Sequence, residues 1–318
     1  MEKIDFVITW LDSSDKKWQN DFNKYSTKKI SESRYRDWDF LKYWFRSIEQ
    51  NAPWVNKIYF VTYGHVPKWL NINNEKLVIV NHEDYIPSKY LPTFNSCVLE
   101  INFNNIKDLS NKFVYFNDDM FLNDIVTQED FFVDGKPLDN MNVEKQFFYG
   151  KNSSKINYNC GKIINNYFNI KEAKKRFSIK DYIKIVLSFP NKPINGLTST
   201  HMPTSFLKKT FDELWNKESK KLLDINKNKF RTNNDVSQWL FEYWQIASDN
   251  YVERSQKDYK YYDINDLSID DICNDILNKK SKFICMNDGE ATNNYIEYKK
   301  KIIDALENRY NSKSSFEV

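Results

Sequence analysis

Glycine is rare in this 318-residue sequence: 6 occur, where average usage of about 7 % would give roughly 22. They stand alone at 64, 135, 150, 161, 196 and 289. Neither G-x-G-x-x-G nor G-x-x-x-x-G-K-[ST] can be drawn from those positions, so the two glycine-rich phosphate cradles are excluded. A bound nucleotide would need other groups around its phosphates. The 4 cysteines (Cys97, Cys160, Cys273, Cys285) are scattered and form no C-x-x-C. That argues against a zinc knuckle and against a disulfide scaffold in so long a chain. Reduced thiols in a cytoplasmic protein are expected. No apolar run approaches the roughly 18 residues of a membrane span. The one at Ile4 stops by Thr9 and is preceded by Glu2 and Lys3, too short and too acidic for a signal peptide. Charge of one sign is also missing: Lys+Arg 47 against Asp+Glu 44 leaves +3, too balanced to argue for nucleic acid. H-E-x-x-H and G-x-S-x-G are absent, which removes zinc-protease and serine-hydrolase readings.

What is present is a soluble globular composition, 41 % hydrophobic and 29 % charged. Short apolar runs at Ile4–Trp10, Lys57–Thr62, Leu77–Val80 and Phe113–Phe116 read as buried strands. Helical stripes lie between them, over Asp37–Gln50 and Asn95–Ile106. This alternation predicts an α/β fold, a mostly parallel sheet with flanking helices. Residues 140–195 are Asn- and Lys-rich and read as a helical, irregular insertion with a helix near Ile179–Ser188. Further helices are expected at Thr204–Trp215, Asp235–Ile246 and Ile269–Leu277, then a strand at Lys282–Met286 and a last amphipathic helix ending near Tyr310. That last helix sets Ile296, Ile302, Ile303 and Leu306 against Lys299–Lys301. It is expected to pack on the core, with peripheral contact to a membrane as the alternative. One domain, 1–318, is the economical division.

The sharpest local feature is Phe116-Asn117-Asp118-Asp119, a strand ending in an amide and two carboxylates. In open α/β sheets ligands bind beyond the carboxyl ends of strands, and paired carboxylates suit Mg²⁺ or Mn²⁺ bridging a diphosphate. Two other strands end alike, in Asp12-Ser13-Ser14-Asp15 and in Asn287-Asp288. One such cluster is explained by a turn; three suggest a shared cleft. Histidine occurs 3 times. His65 and His82 follow strands, whereas His201 stands just before an expected helix. There the helix dipole would favour the neutral imidazole that a general base requires. Arg34, Arg36, Arg46 and Arg231 offer forked donors for phosphate oxygens.

Several blocks together resemble the Stealth family of sugar-1-phosphate transferases, which includes bacterial capsule and cell-wall polysaccharide phosphotransferases and the catalytic part of the animal lysosomal-enzyme N-acetylglucosamine-1-phosphotransferase. The first is Ile4–Asp12. The second runs from Arg34 to Leu122 and holds Arg46-Ser47-Ile48-Glu49, Ala52-Pro53-Trp54-Val55, Leu91–Ser96, Glu100 and Phe116–Asp119. The third is Thr200–Pro203, continuing through Arg231 and Asp235, and the fourth is Phe283–Asp288.

The resemblance implies a nucleotide-sugar transferase fold of the GT-A-like kind. Residues 1–135 would be the nucleotide-sugar half, and 196–318 the half that completes the active site. It implies transfer of a whole sugar-1-phosphate from a nucleotide diphosphate sugar, a UDP-hexose or UDP-N-acetylhexosamine, to a hydroxyl of a saccharide or lipid-linked oligosaccharide acceptor. On that scheme Asp118, Asp119, Asn287 and Asp288 would hold Mg²⁺ or Mn²⁺. His201 would take the acceptor proton, with the carboxylates as the competing choice. Arg231 and Arg34 would stabilise phosphates, Thr9, Trp10, Asp15, Asp37, Arg46 and Asn117 would line the nucleotide-sugar pocket, and Glu100 would orient a neighbour. A metal-dependent glycosyltransferase releasing UDP is the nearest alternative. A carbohydrate-binding protein with aromatic platforms is the non-enzymatic one.

Overall fold

A computed structural model describes residues 2–26, 36–142, 152–168, 179, 183, 197–288 and 294–318. Five strands form the central sheet: β1 (Ile4–Thr9), β2 (Ile58–Thr62), β3 (Leu77–Asn81), β4 (Lys112–Phe116) and β8 (Thr204–Leu207), in the order β3-β2-β1-β4-β8. The first four run parallel and β8 pairs antiparallel with β4. A parallel strand covered on both faces needs apolar residues at every position, and β2 and β4 are buried throughout. Alternation splits the core into two layers. Phe6, Ile8, Phe60, Val114 and Phe116 pack with the helices α2 (Leu41–Asn51), α7 (Ile269–Asn278) and α8 (Tyr295–Arg309). Val7, Tyr59, Val61, Phe113 and Tyr115 pack with α3 (Ser96–Ile101), α4 (Asn152–Tyr167), α5 (Lys208–Asn226) and α6 (Trp239–Ala247). A ten-residue helix, α1 (Lys16–Tyr25), covers the cleft side with Trp18 and Phe22 buried.

Two smaller sheets complete the structure. One orders β10 (Tyr259–Asp263), β11 (Phe283–Asn287) and β5 (Met120–Leu122); the other orders β6 (Phe132–Val133), β7 (Lys136–Asp139) and β9 (Val252–Glu253). β5 begins directly after Asn117-Asp118-Asp119, so that turn joins the central sheet to the small one.

The α/β architecture expected from the alternation is present, with local corrections. Thr204–Trp215 is not one helix. Thr204–Leu207 is fully buried as an edge strand on β4, and the helix starts only at Lys208. The Gln245 side chain covers this outer edge, accepting from the Leu207 N–H at 2.9 Å and donating to the Ser205 carbonyl at 3.0 Å. α2 starts at Leu41 rather than Asp37, because the Asp37 carboxylate accepts the Asp39 N–H at 2.7 Å and Asp39 sits at φ 57°. α6 starts at Trp239 because buried Asp235 serves as a hub for Asn95, Asn228 and Thr232. The expected helix at Ile179–Ser188 lies outside the described residues apart from Ile179 and Ile183. The stripe Tyr298, Ile302, Ala305 and Leu306 of α8 is buried in the core, so that face is not available to a membrane. No helix among the described residues is long and apolar enough to cross a bilayer. All four cysteines are free thiols.

Arg46 has a structural task instead of the expected ligand-binding one. Its Nε and Nη2 donate to the two oxygens of Glu317 at 2.7 and 2.8 Å, and Nη1 donates to the Tyr310 carbonyl at 2.7 Å. Burial pushes the Glu317 carboxyl up, but these bonds outweigh it and hold the group below its ordinary value. Arg46→Ala leaves the Glu317 side chain, 5 % exposed, without a countercharge and with only the Ser314 N–H and hydroxyl as donors. It should cost about 3 kcal/mol, read from the denaturant midpoint. The pair's contribution is present above the ordinary Glu range and fades as pH falls through the depressed folded value, so Arg46→Ala should also flatten the acid limb of stability.

Candidate active site

The carboxyl ends of β1, β4 and β11 converge on one cleft of about 1230 Å³. Thr9 and Trp10 enter it from β1, Asn117, Asp118 and Asp119 from β4, and Asn287 and Asp288 from β11. The β4 and β11 ends are stitched together where the Met286 N–H donates to the Asp119 carbonyl at 2.9 Å. Along β4, the Tyr115 hydroxyl donates to Asn117 Oδ1 at 2.6 Å and lies 3.1 Å from Thr9 Oγ1. The β1 and β4 ends are thereby fixed side by side.

His201 Nε2 lies 3.3 Å from Asp119 Oδ2. The loop holds His201 in the left-handed region at φ 55°, with its N–H 3.3 Å from Ser199 Oγ. The following element is β8, not a helix, so no helix dipole acts on the ring. Burial lowers the imidazole pKa, but the Asp119 carboxylate beside it, with Glu100 adding to the effect, raises it overall. This reverses the expected direction. A carboxylate at hydrogen-bond distance outweighs burial and stabilises the imidazolium.

Glu100 is buried in the lining of the same cleft. Burial raises its pKa against the pull of Arg231, and Oε2 accepts the Gln238 N–H at 3.2 Å. Ser96 bonds to Glu100 and receives Arg231 Nη2 at 2.5 Å. This relay, with the Asp235 hub beneath the loop, sets the Arg231 guanidinium at the cleft. Asp118 faces the cleft, and enclosure by the walls, then the charges of Asp119 and Asp37, raise its pKa. Arg36 Nη1 stands 3.4 Å from Asp288 Oδ1 at the far end.

Most of the expected site residues meet here: Thr9, Trp10, Asp37, Glu100, Asn117, Asp118, Asp119, His201, Arg231, Asn287 and Asp288 all line the cleft. Asp15 and Arg46 do not. Asp15 caps α1, accepting the Trp18 N–H at 2.7 Å, and Asp12 folds back on Ser14. The β1 cluster is therefore a turn and a cap. Arg34 lies outside the described residues. Cys285 and the β10 face Tyr259, Tyr261 and Asp263 were missed. The alternation Tyr259-Lys260-Tyr261-Tyr262-Asp263 was the available strand signal.

Among the described residues, Asp119, His201 and Cys285 offer ligand atoms within 4.8 Å of one another. Burial, then the Asp119 charge, keeps the Cys285 thiol protonated well above its usual range, which makes it a poor partner for a hard cation. Asp119 Oδ1, however, is buried without a hydrogen-bond partner. A carboxylate oxygen without a hydrogen-bond partner, in a cleft also lined by Asp118, Asn287 and Asp288, is a fitting donor for Mg²⁺ or Mn²⁺.

Fold and cleft together define an α/β protein with a histidine–carboxylate pair and an arginine beyond the carboxyl ends of parallel strands, the arrangement of a group-transfer enzyme. Residues 34–139 match the family model described as Stealth protein CR2, conserved region 2. The chain is 44 % identical to capsular polysaccharide phosphotransferase WcwK of Streptococcus pneumoniae, over 100 % of this chain and 98 % of that one. It is 36 % identical to receptor polysaccharide phosphotransferase WefC of Streptococcus gordonii, over 100 % of both. Exopolysaccharide phosphotransferase cps2G of Lactiplantibacillus plantarum is also 36 % identical, over 99 % of this chain and 96 % of that one. The chain belongs to the Stealth family. The apo-form glycosyltransferase GlyE of Streptococcus pneumoniae TIGR4 aligns over 99 % of this chain and 64 % of its own at 9 % identity and a TM-score of 0.40, too distant a likeness to add to the topology above.

Proposed function

We propose that this protein is a phosphotransferase of polysaccharide synthesis that moves a sugar-1-phosphate from a nucleotide diphosphate sugar, a UDP-hexose or UDP-N-acetylhexosamine, to a hydroxyl of a saccharide acceptor. The observation that carries the reading is the Asp119–His201 pair at 3.3 Å in a cleft shared with Arg231. Full-length relatives named as polysaccharide phosphotransferases support it.

Neutral His201 donates its Nε2 hydrogen to Asp119, which leaves the other ring nitrogen as proton acceptor. The acceptor hydroxyl passes its proton to that nitrogen as its oxygen attacks the sugar-bearing phosphorus. The new P–O bond forms while the bond to the bridging oxygen breaks, and UMP leaves. Asp119 stabilises the imidazolium formed, and Arg231 meets the charge gathering on phosphoryl oxygens. Asp118, Asp119, Asn287 and Asp288 would hold Mg²⁺ or Mn²⁺, which supplies charge neutralisation for the diphosphate when bound.

Incubation with UDP-sugars, Mg²⁺ and an oligosaccharide acceptor should release UMP and give a phosphodiester ³¹P resonance. Release of UDP with a glycosidic product would overturn the reading in favour of a glycosyltransferase.

A further inference from the structure

One wall of the cleft has no task in the chemistry above. Strand alternation sets Tyr259, Tyr261 and Asp263 of β10 on one face, and all three line the cleft. Tyr262, on the other face, is buried and donates to Asp275 at 2.9 Å. Tyr261 is 40 % exposed, unusual for an aromatic ring that could have been buried on an edge strand. Its ring meets that of His201 edge-on, with centroids 6.0 Å apart. Its hydroxyl donates to Asp263 Oδ1 at 2.8 Å, and the same oxygen accepts from Asn287 Nδ2 at 2.8 Å. Asp263 is thereby pinned from two sides while its side chain stays exposed.

From this juxtaposition we infer that the β10 face, centred on Tyr261 and Asp263, is the subsite for a neutral sugar ring of the acceptor, the ring that presents its hydroxyl to His201. The inference rests on the phosphoryl-transfer reading and deepens it. An exposed aromatic face stacks on the C–H face of a pyranose. A fixed carboxylate accepts from sugar hydroxyls in charge-assisted bonds. The donor diphosphate is better met elsewhere in the cleft, by Arg231, whose guanidinium is held by Ser96 beside Glu100, and by the carboxylates proposed to hold a cation, whereas the β10 face offers no cationic side chain to it. Position agrees with chemistry. Asp119 engages Nε2 of His201 and the Tyr261 ring lies 6.0 Å from the imidazole, so a sugar resting on the tyrosine sits close enough to offer a hydroxyl to the free ring nitrogen.

The test is a pair of measurements on Tyr261→Ala, Tyr261→Phe and Asp263→Asn. The first is calorimetric binding of a panel of neutral hexose and N-acetylhexosamine oligosaccharides in the absence of nucleotide. The second is steady-state kinetics with UDP-sugar. Tyr261→Ala and Asp263→Asn should each weaken oligosaccharide binding and raise the acceptor KM about tenfold, with the donor KM unmoved. Tyr261→Phe keeps the ring and should recover most of the affinity, which separates stacking from misfolding. The inference is overturned if no neutral oligosaccharide binds the wild-type protein, if Tyr261→Ala leaves binding unchanged, or if donor and acceptor KM rise together. Failure of the phosphoryl-transfer reading looks different: wild type releases no UMP, while oligosaccharide binding and its loss in Tyr261→Ala are still measured.

Discussion

Exchange of His201 for asparagine should lower sugar-phosphate transfer about 10²- to 10⁴-fold, the range for loss of a positioned general base, with the folded state intact. Asparagine is chosen for a reason in the backbone. His201 sits at φ 55°, a conformation that asparagine tolerates and alanine does not. His201→Ala would mix lost chemistry with a strained turn, and the Ser199 contact that holds the turn would relax with it. His201→Asn keeps the turn and removes only the proton acceptor. Single-turnover transfer and circular dichroism on the same sample check both halves. A near-normal rate would move the base to one of the carboxylates, the other assignment compatible with the sequence.

Asp119→Asn should be as damaging, about 10³-fold or more in turnover. The amide cannot stabilise the imidazolium. It also presents a dipole, not a charge, to Nε2 of His201 at 3.3 Å. The backbone carbonyl of residue 119 still accepts the Met286 N–H, so the seam between β4 and β11 survives the exchange. The variant also separates two tasks given to one side chain. If the loss comes from weakened cation binding through the orphaned Oδ1, raising Mg²⁺ or Mn²⁺ should restore activity in part. If it comes from the unsupported imidazole, added metal changes nothing. Activity within a few-fold of wild type would remove Asp119 from the mechanism.

The central strands were legible because a parallel strand buried on both faces must be apolar at nearly every position, and β1, β2, β3 and β4 are such runs. The cleft was legible at β4 and β11 because Asx residues beyond parallel strands have few reasons to cluster. The same rule failed at β1, where Asp12 and Asp15 satisfy a turn and a helix cap. Local hydrogen bonding makes the same residue pattern as a binding site. β8 was hidden because Thr204–Leu207 runs without punctuation into α5, and its strand character comes from pairing with β4, which no local pattern records. Arg46 was misread because its partner, Glu317, is 271 residues away. The helix-dipole argument for His201 does not hold. The residue lines the cleft, but the carboxylate of Asp119, not a helix end, is what shifts its pKa, and the shift is upward.

The Arg46–Glu317 clamp bears on how the protein is made. Phe316 packs on Phe45 at 5.1 Å between ring centroids, the Phe316 carbonyl accepts the Asn71 N–H at 2.8 Å, and the Val318 N–H donates to the Trp69 carbonyl at 2.9 Å. The outer side of α2 is therefore closed by residues that a ribosome adds long after α2 itself has emerged. Until they arrive, the guanidinium of Arg46 lacks the two-oxygen grip of Glu317 and keeps only the longer contact to Glu307 at 3.4 Å, and Phe45 lies open beside it. The layer of the core that α2 covers is thus sealed late, and a nascent chain stalled short of residue 314 would present a sticky, apolar seam around Phe45 to whatever chaperone attends it.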